Sequence, residues 1–166
     1  MTDTDTLDAP ALAWTADLAT GNPRMDRTHE EFVELLNALQ TLAPHEQGPV
    51  FERLLAHTVE HFAQEERWML ATGFAPDNCH ASHHATVLET MRAVATHHAQ
   101  GDSAIINRMA EALAEWFPQH AATMDAGLAL HLQSLGYDTH TETLPANAQV
   151  RPASMSGCGS VSCGPG

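Results

Sequence analysis

Four short groups of histidine and carboxylate, each inside a stretch with the period of an α-helix, constrain this chain more than any other feature. They are His29; His61 with Glu65; His80 with His84; and His120 with Asp125. Residues four apart on a helix share a face, so Glu65 points where His61 points and His84 where His80 points. His120 and Asp125 are five apart, about 140° around a regular helix, so this carboxylate has to reach back toward the target of its histidine. A fold that gathers the four segments places seven nitrogen and oxygen donors in its interior, where so many polar groups are costly to bury without a cation.

Imidazole and carboxylate without thiolate suit iron, manganese or zinc rather than a soft metal or a cluster. The donor count favours two ions. If Glu65, Asp125 and a solvent oxygen each bridge both, an ion with three histidines reaches six ligands. Its neighbour, with two, reaches five and keeps one open position. If the metal is iron, a small electron-accepting ligand such as dioxygen fits there.

The apolar periodicity supplies the helices. A first runs from about Asp26 to Leu42, with His29, Phe32, Leu36 and Leu39 on its inner face. Pro49 suits the first turn of a second, to about Ala71, whose inward row is Leu54, His57, His61, Glu65 and Trp68. Gly73 ends it. Pro76 and Asp77 start a third, with His80, His84, Leu88, Met91 and Val94 inward until Gln100 and Gly101. A fourth, capped by Asp102 or Ser103, lines up Ile106, Met109, Leu113, Trp116 and His120 and continues past Asp125 to Leu135. Short connections predict an all-α, antiparallel up-down four-helix bundle over residues 25–138. Residues 1–24 are expected to form an arm packed on the bundle, with Trp14 its one large apolar group. Residues 139–166, rich in glycine and proline, read as a disordered tail.

At this point four motifs, MDRTHEEF, HFAQEERWM, HASHH and WFPQHAATMD, follow one pattern in order and spacing. On them, over roughly residues 14–135, the chain resembles the hemerythrin family. The resemblance implies a non-haem, oxo- or hydroxo-bridged pair of iron ions within the bundle. It further implies that His80, His84 and His120 bind one iron and His29 and His61 the other, that Glu65 and Asp125 bridge them, and that dioxygen binds at the second. The expected function is reversible dioxygen binding, as carrier, store or buffer, rather than enzymatic catalysis. The competing readings are a di-iron enzyme reducing peroxide or nitric oxide, and a protein of iron storage or repair.

Charge narrows the partners. The 166 residues include no lysine, seven arginines and 21 acidic side chains, a formal charge of −14, which disfavours nucleic acid and anionic lipid. The start MTDTDTLDAP lacks the basic and apolar regions of a signal peptide, and no apolar run is long enough to span a membrane. The expectation is a cytoplasmic monomer with dioxygen as ligand and an unknown redox partner.

Several residues carry two readings. His57, one turn before His61 on the inner face, reads either as a hydrogen-bonded core histidine or as a group serving the centre. Phe62, Trp68, Trp116 and Phe117 read as core first and as walls of a ligand pocket second. Pro118 removes a helical hydrogen bond to Ala114 and is expected to kink the fourth helix before His120. Cys79 points about 100° away from its neighbour His80 and is read as a buried thiol. Cys158 and Cys163 offer only a weak metal or disulfide signal.

Overall fold

A computed structural model describes residues 12–74 and 79–150 of the chain. Helix α1 spans Pro23–Thr41, α2 Gln47–Thr72, α3 Cys79–Ala99 and α4 Ile105–His120. A π-helical turn, Ala121–Asp125, carries α4 into α5, Ala126–Leu135, so these segments form one long fourth helix. Helix α1 packs beside α2 and α4, α2 beside α3, and α3 beside α4. The chain thus forms the expected all-α four-helix bundle, and short connections make successive helices antiparallel.

Local chemistry sets the helix ends. Helix α1 begins before the expected Asp26 because Asn22 caps it. The Asn22 side chain accepts from the backbone N–H groups of Arg24 at 3.1 Å and Met25 at 3.2 Å, and Pro23 fills the first turn. Asp26 is then free to hold the chain entering the helix. Its carboxylate accepts from the Thr20 N–H and hydroxyl, both at 2.7 Å, and from Gly21 N–H at 3.1 Å. Gly73 ends α2 in the left-handed region, φ 65°, where glycine has no steric penalty. The expected start of the third helix at Pro76 and Asp77 lies outside the described residues. The fourth begins at Ile105, with Ala104 in the cap position in place of the expected Asp102 or Ser103.

The core is layered along the bundle axis. One apolar cluster contains Phe32, Leu36, Leu39, Phe51, Leu54, Met91, Ile106 and Leu113. A second, at the opposite end, contains Met25, Trp68, Met69, Phe74, Leu128 and Leu132. On every helix the histidine or carboxylate positions fall between these clusters or at the end of one. The two apolar layers thereby close off a polar layer between them.

Both chain ends described lie against this core. Leu12 and Trp14 pack on the larger cluster, Leu18 is buried in it, and the Asn37 amide donates to the Leu12 carbonyl at 2.7 Å. After Gly136, residues to Val150 form no helix but are tied to the bundle. Asp138 and Thr143 exchange backbone hydrogen bonds of 2.9 and 3.2 Å. Arg67 pairs with Glu142 at 3.1 Å, and the Thr139 hydroxyl donates to Asn22 Oδ1 at 3.2 Å. A Cβ on Gly73 would lie 2.8 Å from Val150 Cγ1, so glycine there both ends α2 and admits this segment. Residues 151–166, with Cys158 and Cys163, lie outside the described residues. Among the described residues no helix is long and apolar enough to cross a membrane.

Candidate metal centre

The structure brings together all seven side chains singled out by spacing. His29 comes from α1, His61 and Glu65 from α2, His80 and His84 from α3, and His120 and Asp125 from the fourth helix. All are buried, none more than 4% exposed. Their donor atoms form two groups, each with its atoms within 4.8 Å of one another: His80, His84, His120 and Asp125 in one, His29, His61 and Glu65 in the other.

The carboxylates join the two groups. Glu65 Oε1 lies 2.9 Å from His61 Nε2 and 3.7 Å from His29 Nε2, while its Oε2 lies 3.2 Å from His80 Nε2 and 3.5 Å from His84 Nε2. Asp125 is placed likewise, with Oδ2 3.2 Å from His29 Nε2 and Oδ1 2.9 Å from His80 Nε2 and 3.1 Å from His120 Nε2. Each carboxylate therefore turns one oxygen to each histidine group.

Asp125 reaches this position by a route that regular helix geometry excludes. In the turn Ala121–Asp125 the N–H of Ala126 donates to the carbonyl of Ala121, an i→i+5 bond. This wider turn advances the chain by fewer degrees per residue than an α-helix, so the fifth residue after His120 returns toward the face of His120. The departure from regular geometry that Pro118 led us to expect before His120 thus occurs after it. Deleting Thr123, an exposed residue of this turn, would put the aspartate four residues after His120 on a regular helix, the spacing of His61 and Glu65. The deletion variant is expected to fold and to keep its metal; metal analysis showing complete loss would refute this account of the turn.

The electrostatics of the cluster indicate what it holds. Burial pushes the Glu65 and Asp125 carboxyls up, but the surrounding imidazoles win and hold both well below the usual carboxylate range. Burial pushes His29 and His80 down, yet Asp125 and Glu65 beside them raise both to about 9. His84, pushed down by burial and by His80 and His120 against the pull of Glu65, falls to about 3. At neutral pH two protonated imidazoles therefore balance two carboxylates. Protons occupy the electrostatic role of cations, which is how a metal site behaves toward pH.

The polar atoms also lack other employment. Both Asp125 oxygens, Glu65 Oε2 and the Nε2 atoms of His29 and His80 are buried and make no aligned hydrogen bond, despite approaches near 3 Å. Buried polar groups are normally satisfied. Side chains this close without aligned hydrogen bonds leave room for a shared partner between them, and metal cations in place of the protons on His29 and His80 fit such a set.

Aromatic rings wrap the imidazoles. Phe62 stacks on His84 at 3.8 Å and 2°, and Trp116 on His120 at 4.3 Å and 27°. Phe117 meets His29 edge-on at 5.1 Å and itself packs on Phe32 at 4.8 Å. Trp68 belongs instead to the second apolar layer. Trp14, 6.3 Å from His29, is the neighbour that sequence reasoning missed, since nothing local ties residue 14 to residue 29. Cys79 is half-buried and belongs to neither donor group. His57 is half-buried, its ring 6.1 Å from that of His61 and its Nε2 3.4 Å from Glu31 Oε2. His57 and Glu31 also line a surface cleft of about 1040 Å³ walled by α1, α2, α5 and the segment that follows α5, to which none of the seven donors contributes.

A helical bundle that buries five imidazoles around two shared carboxylates defines a class: helical proteins that carry a histidine–carboxylate metal centre between facing helices. Comparison with known proteins gives the particular family. Residues 20–130 match the model of the hemerythrin HHE cation binding domain. The chain is 35% identical over 133 residues to a bacteriohemerythrin of Ralstonia nicotianae, covering 80% of this chain and 97% of that one. It is 27% identical over 120 residues to bacteriohemerythrins of Pseudomonas paraeruginosa and Pseudomonas aeruginosa, covering 70% of this chain and 78% of each of those. The chain belongs to the hemerythrin family, and with that family goes a non-haem iron cofactor.

Proposed function

We propose that this protein binds dioxygen reversibly at a pair of non-haem iron ions, serving in the cytoplasm as a monomeric carrier, store or buffer. The observation that carries the reading is the placement of Glu65 and Asp125, each with one oxygen toward each histidine group. In this reading His80, His84 and His120 would hold one iron and His29 and His61 the other, with Glu65 and Asp125 each offering an oxygen to both. When bound, a pair of ferrous ions would supply one electron each to dioxygen, and the group with only two imidazoles, His29 and His61, would leave the more room for that ligand.

The chain's own residues supply the rest. Glu65 and Asp125 would offset part of the metal charge and offer one oxygen to each histidine group. The rings of Phe32, Phe62 and Phe117 surround His29 and His61 and exclude water, which slows proton delivery and irreversible oxidation.

The test is anaerobic reconstitution with ferrous iron, followed by absorption spectra on adding oxygen and on purging with argon. A visible band that appears with oxygen and disappears on purging is expected, with about two irons per chain, and azide should compete once the protein is oxidised. Immediate irreversible oxidation with catalytic consumption of added peroxide would replace the carrier reading with an enzymatic one.

A further inference from the structure

We infer that His57 and Glu31 form a positioning relay for His61, with the His57 ring receiving the outer N–H of that ligand and Glu31 fixing the tautomer of His57. The inference rests on the di-iron reading above and extends it to two residues outside the donor set. His57 stands one helical turn before His61 on α2, and the two rings lie 6.1 Å apart at 62°. The Nδ1 atoms of both rings are buried and have no hydrogen-bond partner. The Nδ1 atoms of the other four donor histidines are buried and unmet as well, and a buried polar group without a partner is costly; His61 is set apart by having, one turn away on its own helix, a ring outside the donor set whose Nδ1 is also unmet.

The tautomers explain how the two needs meet. His61 turns Nε2 toward Glu65 and the centre, at 2.9 Å from Oε1. With a cation on Nε2, a neutral imidazole carries its hydrogen on Nδ1 and becomes an outward donor. His57 turns its own Nε2 to Glu31 Oε2 at 3.4 Å. A carboxylate accepts only, so it favours hydrogen on His57 Nε2 and leaves His57 Nδ1 as an acceptor. Donor and acceptor then stand on neighbouring rings that make no direct hydrogen bond, and one water between them would complete the contact. Metal-bound histidines ordinarily donate their second N–H in this way, and such partners set ring orientation and ligand basicity.

The relay also has a direction. Glu31 is half-exposed, at 52% of its side chain, while the His57 side chain is 17% exposed and that of His61 2%. The chain of contacts therefore runs from the surface cleft, which Glu31 and His57 line, to the interior.

The experiment compares His57→Phe, His57→Gln and Glu31→Gln in the iron-loaded full-length protein. Two readouts are used: the rate of iron release to a strong chelator, and the exchangeable imidazole N–H resonances of the oxidised protein. His57→Phe removes the acceptor and is expected to speed release by about 10- to 100-fold, the range typical for partners of metal ligands, with one N–H signal exchanging faster with solvent. His57→Gln keeps an acceptor oxygen and is expected to restore both readouts to within about threefold. Glu31→Gln, a surface change that leaves the core intact, replaces an acceptor-only carboxylate with an amide that both accepts and donates, so the His57 tautomer is no longer fixed; it is expected to move both readouts part of the way toward those of His57→Phe, and it decides the matter should His57→Phe fail to fold. Unchanged N–H signals and release in His57→Phe and Glu31→Gln, or equal damage from His57→Gln and His57→Phe, would overturn the relay. A wild-type chain that takes up no iron would instead overturn the di-iron reading beneath it.

Discussion

Asp125→Ala is expected to lose nearly all iron from both positions, and Glu65→Ala likewise, whereas His29→Ala keeps at least one ion per chain. The difference lies in how the donors are shared. Asp125 approaches His29 with one oxygen and His80 and His120 with the other, so in the proposed di-iron arrangement its removal would take a ligand from each ion and half of the carboxylate charge from the cluster. Glu65 occupies the equivalent place between His61 and His80. His29 belongs to the three-donor group alone, and the group of His80, His84, His120 and Asp125 stays whole without it. Removing one carboxylate also leaves protonated or metal-bound imidazoles in the core with one counter-charge, and breaking a buried charge set costs several kcal/mol by itself, about 3 to 5. Iron analysis after reconstitution of the three variants checks the ranking. If His29→Ala emptied both positions while Asp125→Ala kept two ions, the shared-carboxylate account would be wrong.

Stripping the metal is the second large effect. Ions bound only by the folded chain stabilise it by mass action, about 4 kcal/mol each when free metal is 1,000 times its dissociation constant. Two ions give roughly 8 kcal/mol, which for a chain of this size corresponds to a fall in melting temperature of about 15–30 °C on removal. The pH dependence has a definite sign. Without a cation, His29 and His80 sit near 9, above their ordinary 6.5. Their protonation therefore contributes stability that is fully present below about 6.5 and is lost as pH rises through 9. Glu65 and Asp125 are ionised across this whole window and add no slope. In the loaded protein the same nitrogens are occupied, and protons cease to compete as pH rises. The gap in melting temperature between loaded and stripped protein is thus expected to widen from pH 6.5 to 9. Calorimetry at several pH values measures it, and equal melting temperatures with and without chelator would show that the cluster does not couple metal to folding.

The sequence by itself determined the helices and the faces of the donors. Asn22, Pro23, Gly73 and Gly136 punctuate the chain through backbone preferences that act within a few residues, and the pairs His61–Glu65 and His80–His84 share a face by helical repeat alone. Tertiary structure decided what lies beyond one turn. The turn Ala121–Asp125 gives up regular α-helical bonding, and its reward, Asp125 meeting histidines from α1 and α3, comes from partners that no local window contains. Trp14 beside His29, Glu31 beside His57, and Glu142 on Arg67 are likewise meetings between residues distant in the chain. Local periodicity fixes the direction in which a side chain leaves its helix; which side chain it meets is fixed only when apolar layers above and below the polar one lock the helices in register.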